Sequence, residues 1–293
     1  MLGSTSAKNQ KRLLIFTFLV IPLVMLIIFC YYPAVRLFQY SFTDWDGLDP
    51  NMKYVGLKNY IEILHDPKAM LAVLNNGAYL IVMFIQTALA IYLAIILNGK
   101  MKGKNFFKSV LFLPFILNGV AVAFMFNYLY DANKGPINQF LGIFGMHVSS
   151  FFPANYMGNF SLAFISMWMY TGFNMVFILG ALQSIPNDIY EAASLDGAGF
   201  FQTAIYITIP NIKSILEYLL FTGISGSLQA YFQPYVMTEG GPAGKTDTFV
   251  TKSLYLAFHD DKYGKAAAMS VMLLILVVII IGIQKLVLGR DED

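Results

Sequence analysis

A short stretch in the last quarter of the chain carries the residue types of a nucleotide-binding loop. It reads Gly240-Gly241-Pro242-Ala243-Gly244-Lys245-Thr246. A phosphate-binding loop requires four residues between its first glycine and the Gly-Lys-Thr triplet. Only three follow Gly240, and the position at the correct spacing is Glu239, whose carboxylate would repel phosphate. The stretch is therefore predicted not to bind ATP, so any ATP must be handled by a partner.

The cysteine and histidine content gives little support for a metal site or for thiol chemistry. The single cysteine, Cys30, permits neither an internal disulfide nor a multi-cysteine metal site. The three histidines, His65, His147 and His259, are scattered among polar segments, where surface or loop positions are expected. We predict that this chain holds no metal and no cofactor of its own.

The composition is that of a membrane protein. Hydrophobic residues make up 57% of the 293 residues and charged residues 12%, whereas soluble domains have roughly 45–50% and 25%. A net charge of +2 argues against nucleic acid as a partner. The bilayer itself is therefore the expected environment.

Six apolar segments are long enough to cross a hydrocarbon core about 30 Å thick, which requires about 20 residues. They are 13–32, 71–97, 109–130, 160–182, 214–237 and 263–287. The first contains Pro22 and is interpreted as a retained span, because it is too long for a typical signal peptide and no cleavage site follows. We expect an all-α integral membrane protein with six transmembrane helices over 13–287, and short tails at 1–12 and 288–293.

An even number of spans places both termini on one side. The short segment 98–108 carries Lys100, Lys102, Lys104 and Lys108 without any acid. Three further basic residues precede the first span. Because such clusters favour the cytoplasmic side, both tails are predicted to be cytoplasmic.

The middle of the spans is neutral. Ionisable groups within a membrane commonly mark ion relays, so the absence of Asp, Lys, Arg and His there argues against an ion-coupled carrier. Aromatic rings, amides and hydroxyls suit a neutral, polyhydroxylated solute in a mostly apolar pathway, although they also hold helices together. The candidates are Trp168, Tyr170, Phe173, Asn174, Ser227, Gln229, Tyr231 and Gln233.

A polar, helix-prone segment, 186–210, separates the fourth and fifth spans. Pro186 suits the first turn of a helix, Ala192 and Ala193 are strong helix formers, and Gly197 can end the helix in the left-handed conformation. A second short helix is predicted from Gly199 to Ile209, stopped by Pro210. The middle of the first helix has small side chains, so a partner could approach its backbone closely, and Glu191 is the charged residue beside them.

This segment resembles the EAA loop of bacterial ABC-importer permeases, with Ile209 in place of the usual leucine. In that family the loop is a cytoplasmic coupling helix that sits in a cleft of the ATP-hydrolysing subunit. The resemblance therefore places a coupling loop at 184–212. It assigns contact with the ATPase to Glu191, Ala192, Ala193, Gly197, Ile207 and Pro210.

Further segments resemble the carbohydrate (maltose/glycerol-phosphate) class of these importers and the first, MalF-type, of its two permeases. They are Val55–Tyr60, Phe112–Pro114, Leu182–Pro186, Thr238–Pro242 and Tyr263–Ala268. Within the fourth of these, the turn of Gly240, Gly241 and Pro242 is expected to face the binding protein.

The resemblance implies a multi-pass subunit of a bacterial cytoplasmic (inner) membrane importer that works by alternating access. Its implied partners are a second homologous permease, two ATPase subunits that bind ATP and Mg²⁺, an extracellular binding protein, and a sugar. The chain itself would be non-catalytic.

Three alternatives remain at this point. The first is a permease for glycerol phosphate, an anion for which a cationic pocket would be expected. The second is a secondary carrier or channel with six spans, which would need no ATPase. The third is an intramembrane enzyme, for which the spans offer no nucleophile–base pair or metal site.

Overall fold

The computed structural model describes residues 7–99, 101–152 and 156–288, and these are helical or irregular apart from one isolated bridge between Thr43 and Tyr54. The α-helices are α1 (Ala7–Leu26), α2 (Tyr32–Ser41), α3 (Lys58–Leu64), α4 (Pro67–Asn98), α5 (Lys104–Ile116), α6 (Gly119–Leu129), α7 (Pro136–Gly142), α8 (Met157–Leu182), α9 (Asn187–Leu195), α10 (Phe200–Thr203), α11 (Ile209–Asn211), α12 (Lys213–Leu228), α13 (Phe249–Phe258) and α14 (Tyr263–Leu288). Three π-helical segments adjoin them: Ile27–Tyr31, Ala204–Thr208 and Pro234–Thr238.

The all-α membrane fold is confirmed. By length and composition, four helical segments can each cross a membrane: Leu14–Ser41, Pro67–Asn98, Met157–Leu182 and Tyr263–Leu286. Two bent helix pairs raise the number of candidate spans to six if each pair is one span. The predicted tails fall partly outside the described residues, as does Lys100.

The first span continues well past its predicted end at Tyr32 and reaches Ser41. Its irregularity lies in the π-helical segment Ile27–Tyr31, and Pro22 stays within regular α1. Pro33 has no N–H and cannot bond to the carbonyl one α-turn earlier. The Tyr32 N–H instead bonds to the Ile27 carbonyl, five residues back, so the helix passes the proline without ending.

The third predicted span, 109–130, is not one continuous helix. The chain forms α5 and α6, which meet at an angle of 100°. Leu117 is extended, and the Asn118 side chain caps α6 by accepting hydrogen bonds from the N–H groups of Val120 (2.9 Å) and Ala121 (3.3 Å). An asparagine cap satisfies the free amides at a helix start, which stabilises the break.

The fifth span is shorter than predicted, because α12 ends at Leu228 rather than near Met237. The Asn76 side chain donates to the carbonyls of Ser227 (2.8 Å) and Leu228 (3.1 Å). Pro234 cannot donate to the carbonyl of Ala230, which instead accepts a hydrogen bond from the Thr248 hydroxyl. Tertiary hydrogen bonds thus replace the helical ones.

Three further helical features differ from expectation. Pro210 does not stop the second short helix but lies inside α11, and the chain then bends by 77° into α12. The polar region expected after Thr238 contains a helix, α13. The loop before the second span likewise contains α3.

The chain forms two compact units, of which the first comprises Met1–Ile63 and Ser253–Met272. In it, the buried Asn59 amide donates to the carbonyls of Ser41 (3.0 Å) and Thr43 (2.8 Å). Gly264, at the start of α14, comes so near that a Cβ there would lie 2.1 Å from the Thr43 oxygen. Two of the segments that resemble sugar permeases therefore meet at the end of the first span.

The second unit comprises Leu64–Lys252 and Leu273–Asp293. Helix α8 packs against α4 and α5, and α12 packs against α4. Gly172 of α8 lies directly against the backbone of α5, since a Cβ there would lie 1.8 Å from the Leu111 carbonyl oxygen. These helices enclose the site described below.

Candidate solute cavity and coupling loop

The second unit contains a cavity of about 580 Å³, which we call the inner cavity. None of its described lining residues carries a formal charge. Seven of the eight predicted pathway residues line it: Tyr170, Phe173, Asn174, Ser227, Gln229, Tyr231 and Gln233. The fold thus brings together residues from the fourth and fifth spans that lie about 50 positions apart in the chain.

Aromatic rings form one wall of the inner cavity. Phe115 of α5 stacks on Phe173 at 4.3 Å between ring centroids and meets Tyr170 edge-on at 5.9 Å. Such faces are rigid and apolar, and they suit stacking against the C–H face of a sugar ring. Phe115 was not predicted, because it precedes a helix break that the sequence did not reveal.

Amides and hydroxyls supply the polar part of the lining of the inner cavity. The Gln233 amide donates to the Ser166 hydroxyl, and the Gln229 amide donates to the Ser225 hydroxyl at 2.8 Å. The Ser227 hydroxyl donates to the Tyr79 carbonyl at 3.3 Å. The Ser227 proton is therefore used within the protein, while its oxygen can still accept.

Trp168 does not line the inner cavity. Its ring packs edge-on against Phe126 at 5.4 Å, in an apolar cluster with Val122, Ile165 and Met169. Sequence reasoning also missed the contribution of α4, where Tyr79, Val82, Met83 and Gln86 line the cavity. Polar residues inside the second span, Asn75, Asn76 and Gln86, were the available signal for this face.

Two glycines of α12 have different surroundings in the inner cavity. A Cβ on Gly223 would lie 2.8 Å from the Met83 side chain, so this glycine allows α12 to approach α4. A Cβ on Gly226 would meet nothing within 4 Å. Gly226 therefore leaves open volume in the lining of the cavity.

The predicted turn of Gly240, Gly241 and Pro242 is tied to α4. The Asn75 amide donates to the carbonyls of Lys245 (2.9 Å) and Asp247 (2.7 Å). A Cβ on Gly240 would lie 2.1 Å from the Asp247 carboxylate. Burial raises the pKa of the Asp247 carboxyl, against the hydrogen bond from Thr251 and the positive charges of Lys252 and Lys68. Contact with a binding protein remains a prediction for this turn.

The helix predicted after Pro186 is present, with Pro186 at its N-cap position and α9 ending just before Asp196. Gly197 has φ +79°, and the N–H of Ala198 bonds to the Ala193 carbonyl at 2.9 Å. The Gly197 N–H bonds to the Ser194 carbonyl at 3.2 Å. This pair of bonds is a Schellman motif, in which a left-handed residue closes the helix.

Large apolar side chains are exposed at the end of α9 and in the segment that follows it. Leu195 is 89% exposed, Phe201 77% and Tyr206 76%, and Phe200 and Ile205 are also exposed. We call these five residues the apolar loop surface. Contiguous exposed apolar groups of this kind mark a surface that another molecule covers.

The other predicted coupling residues are distributed around this surface. Glu191, Ala192 and Pro210 are exposed, Ile207 is half-buried and Ala193 is buried. The ends of the loop are fixed differently, since Ile185 and Ile212 belong to a buried cluster with residues of α4, α8 and α12. Both ends of the loop are therefore anchored in the packed part of the second unit.

We expect Gly197→Ala to weaken recovery of the ATPase partner about five-fold or more, because an L-residue in the left-handed region costs about 1–2 kcal/mol. Gly197→Asn should retain most of it, since asparagine tolerates this region. Co-purification from membranes at matched permease levels measures both. Equal recovery with Gly197→Ala and the native chain would contradict this role of the turn.

Similarity to known proteins identifies the family. Residues 86–290 match the family described as binding-protein-dependent transport system inner membrane component. The chain belongs to this family. It is therefore a multi-pass membrane permease subunit of a binding-protein-dependent ABC importer.

Relatives support the assignment along nearly the whole chain. A probable ABC transporter permease protein of Bacillus subtilis, YurN, is 31% identical over 274 residues, 92% of this chain and 93% of that protein. The multiple sugar-binding transport system permease protein MsmF of Streptococcus mutans is 31% identical over 269 residues, 92% of each. A crystal structure of a bacterial ABC transporter that imports the acidic polysaccharide alginate shares the fold, with a TM-score of 0.83 at 22% identity over 98% of this chain and 99% of that one.

Family membership settles several of the sequence-based predictions. Permease subunits of this family are non-catalytic and bind no cofactor, and ATP is bound by the partner ATPases. The prediction that the loop at Gly240 does not bind a nucleotide agrees with ATP binding by the partner ATPases. The alternatives of a secondary carrier and an intramembrane enzyme are excluded.

Proposed function

We propose that this permease carries a neutral carbohydrate through the inner cavity and forms half of the translocation pathway with a second homologous permease. The observation that carries the proposal is the lining itself. It combines the stacked rings of Phe115 and Phe173 with the amides of Asn174, Gln229 and Gln233, and none of its described residues is charged. A sugar offers an apolar ring face and many hydroxyls, which match these two features.

The charge of the lining distinguishes a sugar from an anion. A phosphate-bearing or carboxylate-bearing solute is recognised by Arg, Lys or a helix N-terminus. The described residues of the inner cavity include no such cation. The lining therefore supports a neutral solute over glycerol phosphate, the main alternative.

We further propose that the loop 184–212 couples this pathway to ATP hydrolysis by alternating access. Glu191, Ala192, Ala193, Gly197, Ile207 and Pro210 would contact the ATPase. In this arrangement the loop and the tails at 1–12 and 288–293 face the cytoplasm, and the transmembrane permease domain is 13–287. A binding protein would deliver the sugar on the opposite side, where Gly240, Gly241 and Pro242 lie in the expected topology.

Uptake assays on the native complex test the carbohydrate proposal first. The complex with its partner permease, ATPase subunits and binding protein is reconstituted in liposomes. ATP-driven uptake is then measured for maltose, trehalose, arabinotriose, diacetylchitobiose and glycerol 3-phosphate. We expect uptake of at least one of these sugars and none of glycerol phosphate.

Gly226→Leu should reduce that sugar uptake about ten-fold or more, because leucine fills the open volume of the lining. Gly180→Leu is the matched control, since a Cβ on Gly180 of α8 also meets nothing within 4 Å and Gly180 lies outside the lining. Uptake of glycerol phosphate alone, or equal uptake by the Gly226→Leu and Gly180→Leu variants, would contradict the proposal.

A further inference from the structure

One buried hydroxyl of the inner cavity has no partner. Tyr79 of α4 lines the cavity and is only 3% exposed. Its hydroxyl forms no hydrogen bond with any of the residues that the structure describes. The backbone carbonyl of Tyr79 does accept a bond, from the Ser227 hydroxyl at 3.3 Å, so the residue is held at the junction of α4 and α12.

An unpaired hydroxyl in such a place is costly. Removing a hydroxyl from water without a compensating hydrogen bond costs about 1–3 kcal/mol in proteins. A phenylalanine would have the same ring and would avoid this cost. A second buried tyrosine, Tyr130, does have a partner, because its hydroxyl donates to the Ser161 carbonyl at 3.1 Å. The Tyr79 hydroxyl thus has an unused donor and acceptor in the wall of the inner cavity.

The position of Tyr79 on α4 supports the same conclusion. Tyr79, Val82, Met83 and Gln86 are spaced at i, i+3, i+4 and i+7, which places them on one face of the helix. All four line the inner cavity. Gln86 is also buried, at 6% exposed, so two polar groups lie two turns apart on an otherwise apolar face.

We propose that the Tyr79 hydroxyl is a solute-binding group of the translocation pathway, which hydrogen-bonds a hydroxyl of the transported carbohydrate. This inference rests on the proposed function. It adds the second span to the fourth and fifth as a source of solute-binding groups. The Tyr79 hydroxyl would bind a sugar hydroxyl, whereas the rings of Phe115 and Phe173 would contact the apolar face of the sugar. A phenolic hydroxyl both donates and accepts, so it suits a sugar hydroxyl, which does the same.

Tyr79→Phe removes only this oxygen. In the reconstituted complex with saturating binding protein, we expect the number of sugar molecules taken up per ATP hydrolysed to fall about 3- to 10-fold, the range of one neutral hydrogen bond. The probe is whichever of maltose, trehalose, arabinotriose and diacetylchitobiose the native complex takes up. The melting temperature of the purified variant should stay at or above that of the native chain, because the oxygen has no partner among the described residues.

Tyr92→Phe is the matched control, since Tyr92 lies on the same helix, is exposed and does not line the inner cavity. It should transport as the native chain does. An unchanged uptake ratio for Tyr79→Phe, with normal uptake by the native complex, would overturn this inference alone. A lowered melting temperature would also overturn it, since the hydroxyl would then be bonded within the protein. Failure of the native complex to take up any of the four sugars would overturn the carbohydrate proposal and this inference together.

Discussion

Glu191→Ala is expected to reduce ATP-driven uptake at least about 30-fold while leaving the permease in the membrane at its normal level. Glu191 is exposed on α9, and none of the residues that the structure describes forms an ion pair with it. Docking against the ATPase would bury this carboxylate beside a basic or hydrogen-bonding group. Truncating one partner of a buried charged pair costs about 2–5 kcal/mol, which corresponds to this loss.

The matched control is Asp188→Ala in the first turn of the same helix. Asp188 is also an exposed acid, and its interaction with the helix dipole contributes only about 0.3–1 kcal/mol. We therefore expect a loss of less than about five-fold. Equal losses in both variants would indicate general electrostatic attraction instead of a specific contact. Normal uptake by Glu191→Ala in an intact complex would remove Glu191 from the coupling role.

Gly172→Ala should destabilise the permease strongly, because it adds a methyl group where two helix backbones touch. Its Cβ would lie 1.8 Å from the Leu111 carbonyl oxygen and 2.9 Å from the Phe112 nitrogen. These are backbone atoms, so α5 and α8 must move apart. Overpacking costs about 1–3 kcal/mol or more, and we expect the melting temperature in detergent to fall by about 5 °C or more.

Transport should fall as well, because α5 and α8 carry the aromatic wall of the inner cavity, Phe115, Tyr170 and Phe173. Gly180→Ala on the same helix is the control. Its Cβ meets nothing within 4 Å, and alanine improves helix propensity by about 1 kcal/mol. The control should melt at or above the native temperature. If the Gly172→Ala variant had the same melting temperature as the Gly180→Ala control, α5 and α8 would not be in contact at Gly172.

The coupling loop was the part of the site most accessible to sequence reasoning. Its helix depends on local choices: a proline at the start, alanines in the middle and Gly197 at the end. Each acts through backbone geometry within a few residues, so α9 and its left-handed turn were predictable. The behaviour of Pro210 was not, because α11 follows a π-helical segment that carries the chain through the proline.

The inner cavity was only half predictable. The neutral rings and amides of the fourth and fifth spans were visible as polar residues inside apolar segments. Trp168 is also aromatic and lies in the fourth span, but it packs in the cluster around Phe126 instead. The face of α4 with Tyr79 and Gln86 was not found, although Asn75 and Asn76 in the same span marked it as unusual.

Sequence alone determined that this protein crosses the membrane repeatedly, that it resembles a coupling-loop permease, and that its predicted pathway residues are uncharged. The tertiary structure decided where the third and fifth spans break, which glycine permits contact with α5, and which aromatic residues meet a cavity. The physical reason is that lipid and protein interior are both apolar. A membrane helix therefore carries little hydrophobic asymmetry to show which of its faces is inside, and only its neighbours reveal it.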